Sequence, residues 1–135
     1  MSSKPVLALE DAKRIAAAAE AEAQLNSWRV VIAVVDDGGH LLYLQRSRDT
    51  PFGSVDTAIC KARAAVAFQR PTKISEDAVL SGRLIHLALP GVIPAEGGVP
   101  LEIEGAIVGG LGISGVRSFQ DGQIAAAGLA ALKED

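Results

Sequence analysis

Residues Gly105 to Gly115 read GAIVGGLGISG, and this stretch decides the fold. It has the alternation of a β-strand. Ile107, Leu111 and Ile113 share one parity with Gly109. Ala106, Val108, Gly110, Gly112 and Ser114 share the other. Successive side chains point to opposite faces of a sheet, so one face of this strand is bulky and the other nearly bare. Glycine weakens a strand interior, and repeated glycine marks a close approach by something else. Two partners fit the bare face. One is a helix rich in small residues, for which IAAAGLAAL (Ile124 to Leu132) is the candidate. The other is a flat ligand.

The rest of the chain supplies elements that such a strand can join. Leu9, Ala12, Ile15, Ala16, Ala19 and Ala23 form a helical stripe, which predicts a helix over Leu9 to Leu25. Trp28 to Asp36 is a continuous apolar run rich in β-branched residues, so a central strand covered on both faces is expected. Asp37-Gly38-Gly39-His40 is a tight turn, with Asp37 serving the turn, and Leu41 to Arg46 is the returning strand. A loop over Ser47 to Gly53 leads to a helix over Ser54 to Gln69. Arg70-Pro71-Thr72 stops it, since the residue before proline is biased away from helix. Ser75 is read as the N-cap of a short helix near Ala78 to Gly82, and Arg83 to Leu89 as helix. Pro90 to Pro100 is expected to be irregular, Leu101 to Ile103 a short strand, and Glu104-Gly105 the turn into the glycine-rich strand. Ser118 to Asp121 has the look of a capping box, with Asp121 a helix cap, and the last helix runs to about Lys133. Hairpin-linked strands with flanking helices imply an antiparallel α/β/α sandwich.

The chain has 135 residues and a net charge of -3, and 49% of its residues are hydrophobic. One domain over 1–135 is the expectation. No basic stripe points to nucleic acid, and no apolar run is long enough for a membrane span. The start lacks the charged and apolar regions of a signal peptide. Cys60 is the sole cysteine, so no internal disulfide is expected. These features together predict a cytoplasmic protein.

The motifs VVDDGGHLLYLQR, Ala58-x-x-Lys61-Ala62, Arg70-Pro71-Thr72, EGGVPL (Glu96 to Leu101), GAIVGGLGISG and QDGQIAAAGLAAL, in this order, resemble one family. It is the GlcG/HbpS family, the haem-degrading domain, similar also to the C-terminal domain of PduO-type proteins. The resemblance covers about Leu7 to Leu132. It implies a profilin-like three-layer sandwich with a five-stranded antiparallel sheet, assembling into homo-oligomers from dimer to octamer. Some members bind haem or a corrinoid. One departure bears on the ligand. Where the family often reads R-M-D-G-A, this chain has Arg46-Ser47-Arg48-Asp49-Thr50-Pro51, a more polar loop that, if it borders the pocket, weighs against an apolar macrocycle and towards an anionic ligand.

Within this frame Glu96-Gly97-Gly98 is the leading site candidate. Two glycines expose successive amides that can cradle an anion, and Glu96 can act as acid or base. Lys61 and Arg46 are candidates for a ligand's carboxylates. Ser114, on the bare strand face, joins this ligand-binding set, and Asp36 is a second candidate for proton transfer. His40 and His86 are the histidines available to haem iron, but no metal-ligand spacing links them. Cys60 reads as inert packing. The expected function is binding of haem or another flat acidic molecule near the EGG loop. The alternatives are a small cofactor-free enzyme using Glu96 or Asp36, and an interaction module without a ligand. Any haem binding should be weak or reversible. Gly98→Val should spare the fold and remove binding.

Overall fold

The computed structural model describes residues 3–133. Helix α1 (Leu9–Leu25) buries Ala12, Ile15, Ala16, Ala19 and Ala23, the stripe its spacing predicts. Strand β1 (Val31–Asp36) is buried along its length, and β2 (Leu41–Arg46) returns beside it. Helix α2 (Gly53–Phe68) stops at Gln69, which turns left-handed. Helix α3 (Lys73–Leu80) and a single 3-10 turn, Leu84–Leu87, follow. Strands β3 (Gly98–Ile103) and β4 (Ala106–Ser114) form the second hairpin, and α4 (Ser118–Leu132) closes the chain.

The sheet has four strands in the order β2-β1-β4-β3, with every neighbour antiparallel. The five strands implied by resemblance are not found. Among the described residues no further segment extends to make a fifth: residues 84–97 wind instead through local turns, such as Val92 N–H to the Leu89 carbonyl and Ala95 N–H to the Ile93 carbonyl. β3 starts three residues earlier than expected. Pro100 lies inside it, which an edge strand tolerates.

A helix does cover the bare face of β4, but it is α2 and not the C-terminal helix. A Cβ at Gly110 would collide with the Ala62 carbonyl, and one at Gly112 with the Ala58 carbonyl. Val31 and Ala33 of β1 pack with Ala58 on the same side. Helices α1 and α4 cover the opposite face with Ile32, Val34, Leu111 and Ile113. There Gly128 lets α4 close on α1, since a Cβ would lie 2.7 Å from Leu111 Cδ2 and 3.2 Å from the Ile15 carbonyl. Three layers result, as expected.

Candidate functional site

On α2, Ala58, Lys61, Ala62 and Ala65 follow the i, i+3, i+4, i+7 spacing of one helical face, and all four are buried. On α4, Asp121, Ile124, Ala125 and Gly128 do the same. Both charges are thereby carried inward. Lys61 Nζ donates to the Glu96 carbonyl at 2.9 Å, the Ile113 carbonyl at 2.9 Å and Asp121 Oδ2 at 3.0 Å. Asp121 Oδ1 also accepts the Val116 N–H at 3.2 Å. Burial pushes the Asp121 carboxyl up to about 6, against the opposing pull of the Lys61 ammonium. Lys61 is thus an internal strut, and its three donors are spent. Asp121 is a core ion-pair member and not a helix cap. The Arg117 N–H is instead taken by the Gln120 side chain at 3.1 Å.

The EGG segment sits on this strut. The Glu96 N–H donates to the Glu76 carboxylate at 2.9 Å, and the Gly98 N–H to Thr72 Oγ1 at 2.9 Å. The Gly98 carbonyl accepts the Thr72 N–H at 2.9 Å. Of the two glycine amides expected to cradle an anion, that of Gly98 is thus occupied within the chain. A Cβ at Gly98 would collide with the Lys61 carbonyl, so the close approach of the α2 backbone accounts for a glycine here. This geometry argues against the expectation that Gly98→Val spares the fold. Gly97, at φ 131, is likewise buried, with the Ile113 carbonyl 2.6 Å from where a Cβ would stand. The Glu96 side chain lies over Gly122, where no Cβ could fit, and burial raises its carboxyl, with Lys73 opposing.

The remaining sequence candidates are dispersed. Asp36 ends β1, and its Oδ1 accepts the N–H groups of Gly38 and His40 at 2.9 Å each. The His40 amide leads in holding this carboxyl below its ordinary range. Asp36, and not Asp37, serves the turn, while Asp37 pairs with Lys4 at 3.0 Å. Arg46 is exposed at the far end of β2. Its register partner Val31 also pairs with Ser114, which is buried at the end of β4. His86 is buried with Nδ1 3.3 Å from Ser75 Oγ, so Ser75 holds a histidine and does not cap α3.

The structure places an open cleft elsewhere. It lies between the β1–β2 turn, the outer side of α2 and the segment before the EGG residues. Gly38 and Gly39, Cys60, Arg63 and Ala67, and Ile93 line it, and its volume is about 550 Å³. None of Glu96, Gly97 and Gly98 reaches it. Cys60 is exposed there and not packed, contrary to expectation. His40 follows the turn but does not line the cleft; its Nδ1 lies 3.4 Å from Asp36 Oδ1. Among the described residues no cluster of His, Cys, Asp and Glu could hold a bare metal ion.

The model of the family described as haem-degrading protein HbpS-like matches residues 7–130. The chain belongs to the HbpS-like family. Its HbpS-like kin include GlcG of Escherichia coli strain K12, 42% identical over 114 residues, covering 84% of this chain and 85% of that protein. Among solved structures, the ORFY protein of Klebsiella pneumoniae superposes with a TM-score of 0.89 at 29% identity, over 99% of this chain and 96% of that one. The PduOC chain, solved as a complex with haem, gives 0.83 at 34% identity, over 94% and 95%. This HbpS-like chain carries no described helix long and apolar enough to cross a membrane.

Proposed function

We propose that this protein binds haem or another flat, acidic small molecule. The observation that carries the reading is the cleft. Its volume of about 550 Å³ lies within the roughly 300–1,000 Å³ of small-molecule sites. Ala67, Ile93 and the glycines give it apolar walls, and Arg63 gives it a cation. The haem held by PduOC supports the same ligand class here. The donors lining the cleft fit an iron porphyrin: Cys60 offers sulfur and Arg63 a partner for acidic substituents. When bound, haem would bring redox chemistry. The protein's own part is to hold its acidic edge and shield its faces. Because the amides of Glu96 and Gly98 are occupied, we move the ligand from the EGG loop to this cleft. Titration with hemin tests the reading. A saturable, reversible change in the Soret band is expected, and His86→Ala should leave it unaltered. No spectral change at any hemin concentration would refute it.

We propose further that the protein self-associates, between dimer and octamer. Leu80 is 78% exposed and Leu84 and Leu87 are each 62% exposed, beside exposed Ile85. Apolar surface of this extent marks interfaces. The exposed, unpaired Cys60 suits the reducing cytoplasm, where we place the protein.

A second reading is a cofactor-free enzyme, and one observation favours it. The half-buried Glu96 carboxyl is raised above its ordinary range by burial, as is common for a carboxyl used in proton transfer. Asp36 is the weaker candidate, its Oδ1 being bound to two amides. Turnover of a candidate substrate, lost in Glu96→Gln, would decide for this reading.

A further inference from the structure

Two charged side chains face the cleft, and only one is answered by another described residue. Asp37 is paired with Lys4 at 3.0 Å. Arg63 makes no hydrogen bond or ion pair with any described residue. Its stem lies across the β1–β2 turn. A Cβ at Gly39 would stand 3.5 Å from Arg63 Nε and 3.7 Å from its Cγ. Gly39 has φ 82, which glycine adopts without strain, so the turn stays low beneath the guanidinium. Cys60 lies one helical turn earlier, on the same side of α2, as residues three apart do. The two cations that the sequence offers for this role are otherwise disposed. Lys61 has spent its donors inside, and Arg46 lies on β2, outside the cleft lining.

We infer that Arg63 receives the carboxylate of the ligand, and that the ligand's body lies over Cys60 and Ala67 against Ile93. This rests on the ligand-binding reading above and narrows it. A planar guanidinium fork binds a carboxylate through two parallel hydrogen bonds, and the apolar wall beside it takes a flat hydrocarbon surface. The ligand class is an aromatic or macrocyclic body with its acidic groups along one edge. A neutral analogue of the same shape would lack the Arg63 contact.

Protoporphyrin IX and its dimethyl ester, which lacks the acidic groups, separate these contributions. Binding is read by porphyrin fluorescence on wild type, Arg63→Ala, Arg63→Lys and Arg46→Ala. Arg63→Ala should weaken the free acid by about 10- to 100-fold, the usual range for a charge-assisted contact, and leave the ester unchanged. Arg63→Lys should recover part of the loss, and Arg46→Ala should alter neither. In parallel, alkylation of Cys60 by iodoacetamide, followed by mass spectrometry, should slow several-fold when protoporphyrin IX saturates the protein. Undiminished alkylation at saturation, or equal losses for acid and ester in Arg63→Ala, would overturn this placement while the binding reading stood. Failure of both porphyrins and of hemin to bind the wild type would overturn the binding reading, and this assignment with it.

Discussion

The ammonium of Lys61 and the carboxylate of Asp121 meet at 3.0 Å inside the protein, each with only 3% of its side chain exposed. They come from α2 and α4, on opposite faces of the sheet, and meet near the C-terminal end of β4 beside the Ile113 carbonyl. A buried pair adds little net stability over a well-packed apolar one, because two charges must leave water. Losing one partner is another matter.

Lys61→Met should leave Asp121 unpaired and the carbonyls of Glu96 and Ile113 without their donor. The expected loss is about 3–5 kcal/mol in urea unfolding. Combining Lys61→Met with Asp121→Leu should cost less than the sum of the single changes, since the pair fails as a unit. Additive losses would show that the two groups act independently.

The same pair makes stability depend on pH. The Asp121 carboxyl titrates at about 6 in the folded protein, above its ordinary 3.8. The folded state therefore holds this proton more tightly than the unfolded chain. Its stabilising contribution is complete below about pH 4 and is lost as pH rises through about 6. A difference of about two units corresponds to a loss of roughly 3 kcal/mol at most. Glu96, also raised, acts with the same sign. Unfolding free energies across this window should fall with pH in wild type and less steeply in Asp121→Asn. An identical slope in the variant would remove Asp121 from the account.

Glycines of this protein should divide sharply by what stands above them. Gly98→Val and Gly112→Ala drive a side chain into backbone carbonyls of α2, at Lys61 and Ala58. Both should lose the cooperative thermal transition seen by circular dichroism, or lower its midpoint severely. Gly105 has φ 79 but open space around it, so Gly105→Ala should cost only about 1 kcal/mol of backbone strain. A stable, cooperatively melting Gly112→Ala protein would mean that α2 can lift off β4.

If α3 and the 3-10 turn carry the interface, Leu84→Glu with Leu87→Glu should lower the mass measured by light scattering and leave circular dichroism unchanged. Both side chains are exposed within one chain, so the fold has no need of them. An unaltered mass would send the search for an interface elsewhere.

The first hairpin was legible because its signals are local. A β-branched run, a Gly-Gly turn and a second apolar run occur within 19 residues, Trp28 to Arg46. The glycine face of β4 was legible as well, but its cover was not. The stripes Ala58-Ala62-Ala65 and Ala125-Gly128 are chemically alike, and only the placement of the layers distinguishes them. Lys61 and Asp121 occupy apolar-stripe positions, a readable signal. It was outweighed by the general rule that charges stay in water. Arg63 and the cleft were not legible at all. The turn at Gly38 and Gly39, the outer side of α2 and Ile93 are distant in sequence, and no periodicity joins them.

The seating of α2 on β4 has a consequence for how this scaffold can change. Contact at Gly110 and Gly112 is made by main-chain carbonyls, which every amino acid possesses. Cys60, Arg63 and Ala67, all exposed, point away from that contact and bear little of the fold's integrity. If the proposed cleft is the ligand site, its chemistry can therefore be exchanged one residue at a time along the outer side of a rod whose inner side does not move. An engineer seeking a new cargo would rewrite those three positions and leave the glycines beneath them alone.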